Sequence, residues 1–98
     1  MNFDLIVSSA GYESGAAYYA QVVFVSNGYV WDYTNSRASA TVAYADTVIP
    51  MAEINSMGVF AVDVPSITAG KCKVIIRKRS GADPAAADNV VEVLTFGY

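Results

Sequence analysis

Ninety-eight residues with six basic and nine acidic side chains give a net charge of −3 and a pI near 4.5. That balance counts against non-specific nucleic-acid binding, which needs a positive field to release counterions, and the length bounds the chain to one domain with a single core. With 54% hydrophobic and 15% charged residues and a mean hydropathy of +0.34, the chain is more apolar than so small a core requires, so part of its surface is expected to be covered by a partner.

The N-terminal run Met1-Asn2-Phe3-Asp4-Leu5-Ile6-Val7 has no basic segment and carries an acid among its apolar residues, so no signal peptide is expected. No apolar stretch reaches transmembrane length, and synthesis in a cytoplasm with no membrane partner is expected. A first strand is predicted over Phe3 to Val7, stopping in the turn-forming Ser8-Ser9-Ala10-Gly11. Ala16 to Ser26 is apolar on both alternating rows, Tyr18, Ala20, Val22 and Phe24 against Tyr19, Gln21, Val23 and Val25, which predicts a strand covered on both faces. Asn27-Gly28 predicts a hairpin with a type I′ turn, from which Tyr29-Val30-Trp31 returns antiparallel.

Asp32 to Arg37 is polar and predicts a loop. Strands are predicted at Thr41 to Ala45 and Thr47 to Ile49, the second ended by Pro50 or made an edge strand by it, since proline cannot donate to a ladder. Met51 to Ser56 is either one helical turn or a bent edge strand. Val59 to Val64 and Lys71 to Arg79 are strands joined by a corner at Pro65 to Gly70. In the second of these, Cys72, Val74 and Ile76 alternate with Lys71, Lys73, Ile75, Arg77 and Arg79, which predicts an apolar row turned inward and a mostly basic row turned outward. Asp83 before Pro84 and three alanines predicts a capped turn of helix, and Asn89 to Tyr98 is the closing strand. Short strands spaced by turn signals predict an all-β fold, an antiparallel β-sandwich, Ig-like or jelly-roll-like, of about seven or eight strands in one domain spanning residues 1–98. Phe24, Trp31, Phe60, Val62, Val64, Cys72, Val74, Ile76 and Leu94 are its predicted core.

There is no histidine and one cysteine. Ser-His and Cys-His mechanisms are therefore excluded, as are an intrachain disulfide and a cysteine-built zinc site. Gly-x-Gly-x-x-Gly and phosphate-loop patterns do not occur. Carboxylate pairs remain: Asp32 with Asp46, or Asp83 with Asp88, are loop acids that would suit calcium or carboxylate catalysis, but neither spacing matches an EF-hand, and Asp32 is better explained as a turn former. No catalytic residue, cofactor or metal is therefore expected. Two surfaces qualify as interfaces: the aromatics Tyr29, Trp31 and Tyr33, which with Tyr18 and Tyr19 form an expected patch around the hairpin that would also suit a carbohydrate or host surface, and the basic row Lys71, Lys73, Arg77 and Arg79. The simplest explanation of that row is a solvent face kept charged against strand-to-strand aggregation.

The order Tyr19-Ala20, then Gly28-Tyr29-Val30-Trp31-Asp32, Gly58-Val59-Phe60, Asp63-Val64-Pro65, Thr68-Ala69-Gly70, the alternating strand to Arg79-Ser80-Gly81, and Pro84-Ala85 before Asp88 resembles small uncharacterised β-domain structural proteins of tailed phages and prophages. The resemblance spans roughly residues 17 to 98; it departs at Cys72, where an aromatic is expected. It implies a non-enzymatic virion protein without catalytic residues, a capsid decoration or cement protein or else a tail, neck or baseplate component. Its partners would be other virion proteins, such as the major capsid protein or tail proteins, within a homo-oligomer or symmetric array. Carbohydrate-binding and minor carboxylate-enzyme functions are the alternatives from other classes.

Overall fold

A computed structural model describes residues 3–7, 12–54, 58–64 and 71–97. The turn expected at residues 8–11, the corner at 65–70 and Tyr98 lie outside the described residues.

The alternation in Lys71–Lys78 (β8) sets the centre of the fold. Cys72, Val74 and Ile76 have no solvent exposure, and β8 pairs antiparallel on one side with Tyr18–Phe24 (β2) and on the other with Asn89–Gly97 (β9). Beyond β2, the sheet continues through Val30–Asp32 (β3) to Arg37–Ser39 (β4), while Ile49–Pro50 (β5) pairs with the first part of β2 at Tyr19 and Ala20. A smaller sheet has the order Phe3–Val7 (β1), Val59–Val64 (β7), Ala52–Ile54 (β6), all antiparallel. Among the described residues nine strands thus form a β-sandwich of a six-stranded and a three-stranded sheet.

Between the sheets, Tyr18, Ala20 and Val22 of β2 and the inward row of β8 meet Val7, Phe60, Val62, Val64, Ile49 and Tyr12. Pairs such as Val22↔Val74 and Ala20↔Ile76 put small and branched side chains side by side on one face, which lets the facing rows interdigitate. Phe60 is the largest fully buried side chain; its ring stands edge-on to Tyr18 at 4.6 Å and tilted to Tyr12 at 6.0 Å between centroids, an arrangement that suits the aromatic quadrupole. Three of the predicted core residues are only partly buried: Phe24 and Trp31, packed edge to face at 6.5 Å, and Leu94. They lie on β2, β3 and β9 and pack against the buried cluster without being enclosed by it.

Local structure departs from the pattern reading at three places. Thr41 to Thr47 forms no strand; Tyr44–Thr47 is a single helical turn (α1), held by tertiary bonds described below. The β2–β3 connection is a four-residue loop, with Gly28 N–H donating to Phe24 O (2.9 Å) and Phe24 N–H to Tyr29 O (2.8 Å). Gly28 alone takes positive φ (73°), so the type I′ turn, which needs it at Asn27 too, does not form. The β3–β4 loop, Tyr33 to Ser36, repeats the device with Ser36 at φ 53°. Residues 84–87 form a turn and no helix, and Asp83 is exposed; the structural acid there is Asp88. Of Met51 to Ser56, Ala52–Ile54 takes the edge-strand alternative, β6, while Asn55 and Ser56 lie outside the described residues.

Candidate interaction surface

Strand β2 is buried on both faces over its first five residues, as its double apolar row requires. Its outer residues Tyr19 and Gln21 are polar-tipped, and a closed ring of hydrogen bonds covers them. Asp88, 4% exposed, is the hub. Its Oδ2 accepts from the Tyr19 hydroxyl (2.7 Å) and the Ala85 N–H (2.9 Å), and its Oδ1 accepts from the Ser80 Oγ (2.8 Å) and N–H (3.2 Å). The Tyr44 hydroxyl lies 2.7 Å from that of Tyr19 and donates toward Ala85 O at 3.0 Å. From the other side, Thr47 Oγ1 donates to Tyr44 O (2.6 Å) and accepts from Gln21 Nε2 (2.7 Å), while Gln21 Oε1 accepts from Arg77 Nε (3.0 Å). Arg77 Nη1 closes the ring on Asp88 O at 3.0 Å.

Electrostatics follow from this geometry. The Ala85 N–H, then the Tyr19 hydroxyl, hold the Asp88 carboxyl well below the usual carboxylate range, because donors stabilise the charged form. Burial first, then the bonds to Tyr44 and Asp88, push the Tyr19 phenol well above its ordinary value. Burial does the same to Tyr12, whose hydroxyl donates to Glu92 Oε1 at 2.6 Å, and raises the Cys72 thiol, leaving it a buried apolar group. The sequence singled out Asp88 only as a partner for Asp83 and missed its structural role, because Asp83, beside Pro84, looks like the better cap. The available signal was Tyr19 itself, a phenol on the outer row of a doubly covered strand, whose hydroxyl needs a buried partner.

Three further carboxylates, Asp32, Asp46 and Glu53, are engaged in turns. Asp32 Oδ1 and Oδ2 accept from Asn35 N–H (3.0 Å) and Nδ2 (2.8 Å), bonds that hold its carboxyl below the usual range, the side-chain bond foremost. Asp46 Oδ1 accepts from the Thr34 hydroxyl at 2.9 Å. Glu53 accepts from the N–H groups of Gly15 (2.9 Å) and Gly58 (2.8 Å), which lower its pKa, Gly15 most. Among the described residues no three histidine, cysteine or carboxylate side chains come together as metal ligands, and no helix is long and apolar enough to cross a membrane.

Beyond the ring, among the described residues, the outer face of the large sheet is only partly covered: Val23, Val30 and Ile75 are half-buried. By register, Val30, Val23, Lys73 and Thr95 form one row across β3, β2, β8 and β9, and Ile75 and Val93 continue the next row out from Gln21. Val93 is 51% exposed, Val90 48% and Val25 49%. The predicted basic row therefore divides. Lys71 and Lys73 are exposed beside these valines, and Arg79 is exposed past the end of β8. Arg77 shares the outer face but is half-buried, its guanidinium holding the turn at Ala86 and Asp88. Lys78 pairs with Glu13 at 3.2 Å. The aromatic group divides as well: Tyr29 and Tyr33 are exposed at successive loops, whereas Trp31 packs half-buried against Phe24. Comparison with protein-family models, curated proteins and solved structures finds no match to this chain.

Proposed function

We propose that this chain is a non-enzymatic structural protein of a tailed-phage virion, sitting on the capsid as a decoration or cement protein and stabilising the particle by burying apolar surface between subunits. A tail, neck or baseplate position is the alternative within the same class. The observation that carries the reading is the apolar half of the large sheet's outer face, where the half-buried Val23, Val30 and Ile75 and the exposed Val93 lie in adjacent rows with the exposed Lys71 and Lys73 among them. A sheet face of this kind offers area and a few charges for register, which suits docking onto a folded neighbour. Weak contacts repeated by particle symmetry add up to firm attachment. A role by position is further supported by Asp32, Asp46, Glu53 and Asp88, each engaged in holding a turn.

Reversing Lys71→Glu and Lys73→Glu together tests the reading. Both side chains are exposed, so the purified variant is expected to keep the parent's unfolding midpoint, while its co-sedimentation with particles falls at least tenfold. Unchanged co-sedimentation would remove this face from the interface. A glycan bound through Tyr29 or Tyr33 by a chain that never travels with particles would replace the virion reading with a carbohydrate-binding one.

A further inference from the structure

We infer that the free edge of β9 pairs antiparallel with β9 of a second copy about a two-fold axis at Leu94, joining two large sheets into one. The directions of the backbone groups come first. Val25 N–H donates to Lys71 O and Arg79 N–H to Ala17 O, both at 2.9 Å, so the odd-numbered residues of β8 turn their backbone groups toward β2 and the even-numbered ones toward β9. Cys72, Val74 and Ile76 oppose Phe96, Leu94 and Glu92, which places the ladder bonds of β9 on those three residues. The N–H and C=O groups of Val93 and Thr95 therefore point out of the sheet's free edge.

Every other edge strand of the sandwich carries a known safeguard against pairing. Strand β4 has three residues and includes Arg37, β5 has two and includes Pro50, and β6 has three with Glu53; β1 contains Asp4. Strand β9 has nine residues, Asn89–Gly97, with neither proline nor lysine. Its one charge, Glu92, is bound by the Tyr12 hydroxyl. Its bulge lies opposite Ile76 and Arg77, leaving Val93 to Phe96 regular. Among the described residues no strand pairs with this edge.

A second copy fits the edge because the strand is complementary to itself. With Leu94 opposite Leu94 of the other copy, Val93 and Thr95 become a hydrogen-bonded pair twice over, each satisfying the outward groups of the other. On the outer face this sets the half-exposed Val93 beside a threonine methyl. On the inner face it adds cover to Leu94 and Phe96, which are partly buried. No like charges oppose one another. A strand-edge contact lies below the roughly 1,200 Å² typical of stable interfaces, so a dimer in the micromolar range is expected. It is independent of any virion.

Sedimentation velocity of the purified chain from about 1 μM to about 1 mM is the test. Concentration-dependent dimerisation is expected, with the amides of Val93 and Thr95 exchanging at least tenfold more slowly in the dimer. Two variants fix the register: Val93→Lys with Thr95→Lys, and Val93→Glu with Thr95→Glu. Each alone places like charges opposite at both pairs and is expected to stay monomeric, while a mixture of the two forms the heterodimer. A wild-type chain that remains monomeric throughout, or lysine variants that dimerise as well as the parent, would overturn the inference. Should a variant fail to fold, the wild-type amides still decide it: no slowing at Val93 and Thr95 places the contact elsewhere or nowhere.

Discussion

Phe60→Ala is expected to lower the unfolding free energy by about 3–5 kcal/mol, a large share of the roughly 5–15 kcal/mol that holds such a domain together. Phe60 is 2% exposed and stands on β7, where its ring contacts Tyr18 of the opposite sheet and Tyr12 of the intervening segment. Truncation therefore opens a cavity at the sheet-to-sheet contact that no neighbouring residue is free to fill. Urea unfolding with a fixed m-value measures it. Trp31→Ala should cost clearly less, since Trp31 is half-buried and packs chiefly on Phe24. Equal losses at the two positions would mean that Trp31 is as enclosed as Phe60, and a loss at Phe60 of under about 1 kcal/mol would mean that β7 is registered with its faces exchanged.

The second large effect is on pH dependence. With no histidine, nothing with an ordinary pKa near 6.5 titrates, and a flat stability plateau is expected from about pH 5 to about pH 9. On the acid side, Asp88 is held below its unfolded value of about 4. Its contribution is therefore complete above that value and is lost as the pH falls through it toward the folded one, as it is for Glu53 and Asp32. On the alkaline side, the Tyr19 and Tyr12 phenols are raised above their unfolded value of about 10. Their neutral, hydrogen-bonded forms stabilise the fold fully below that value, and this contribution falls away as the pH rises beyond it. Asp88→Asn replaces an acceptor-only group with one that turns a donor toward Tyr19, Ala85 or Ser80. At pH 7 a fall in Tm on the order of 10 °C is expected, together with a shallower loss of stability below pH 4. A Tm within about 2 °C of the parent would mean that the ring at Asp88 is not formed in solution.

How much of this was legible depended on the range over which the determining contacts act. The alternation in β8 and the double apolar row in β2 are local patterns with a period of two, and both held, down to the zero exposure of Cys72, Val74 and Ile76. That β2 needs a cover on its outer face followed from the sequence; what covers it did not. The covering elements are one helical turn, Tyr44–Thr47, and the 84–88 turn. Neither is long enough to show periodicity; the helical turn is held by bonds to Tyr19 and Gln21, 25 and 26 residues away, and the 84–88 turn by Tyr19, 69 residues away, and Arg77, 11 residues away. Thr41 to Ala45 alternates weakly enough to pass for a strand, and tertiary bonds overrode that propensity. Asn27-Gly28 located its hairpin but not the turn type, because a four-residue loop needs positive φ only at Gly28. Among the interface candidates, Lys71, Lys73, Tyr29 and Tyr33 are exposed as surface residues, whereas the burial of Arg77 and Trp31 depends on partners that spacing along the chain does not reveal.

The most direct measurement is the protein composition of tailed-phage particles purified by density gradient from cells that carry and express this gene, quantified by mass spectrometry against the major capsid protein. A chain that works by occupying a symmetric set of positions is expected to band with the particles at a fixed ratio to that protein, and particles lacking it should lose integrity at lower temperature. Recovery of the chain entirely in the soluble fraction, with particles of unchanged composition and stability when the gene is deleted, would contradict a virion role.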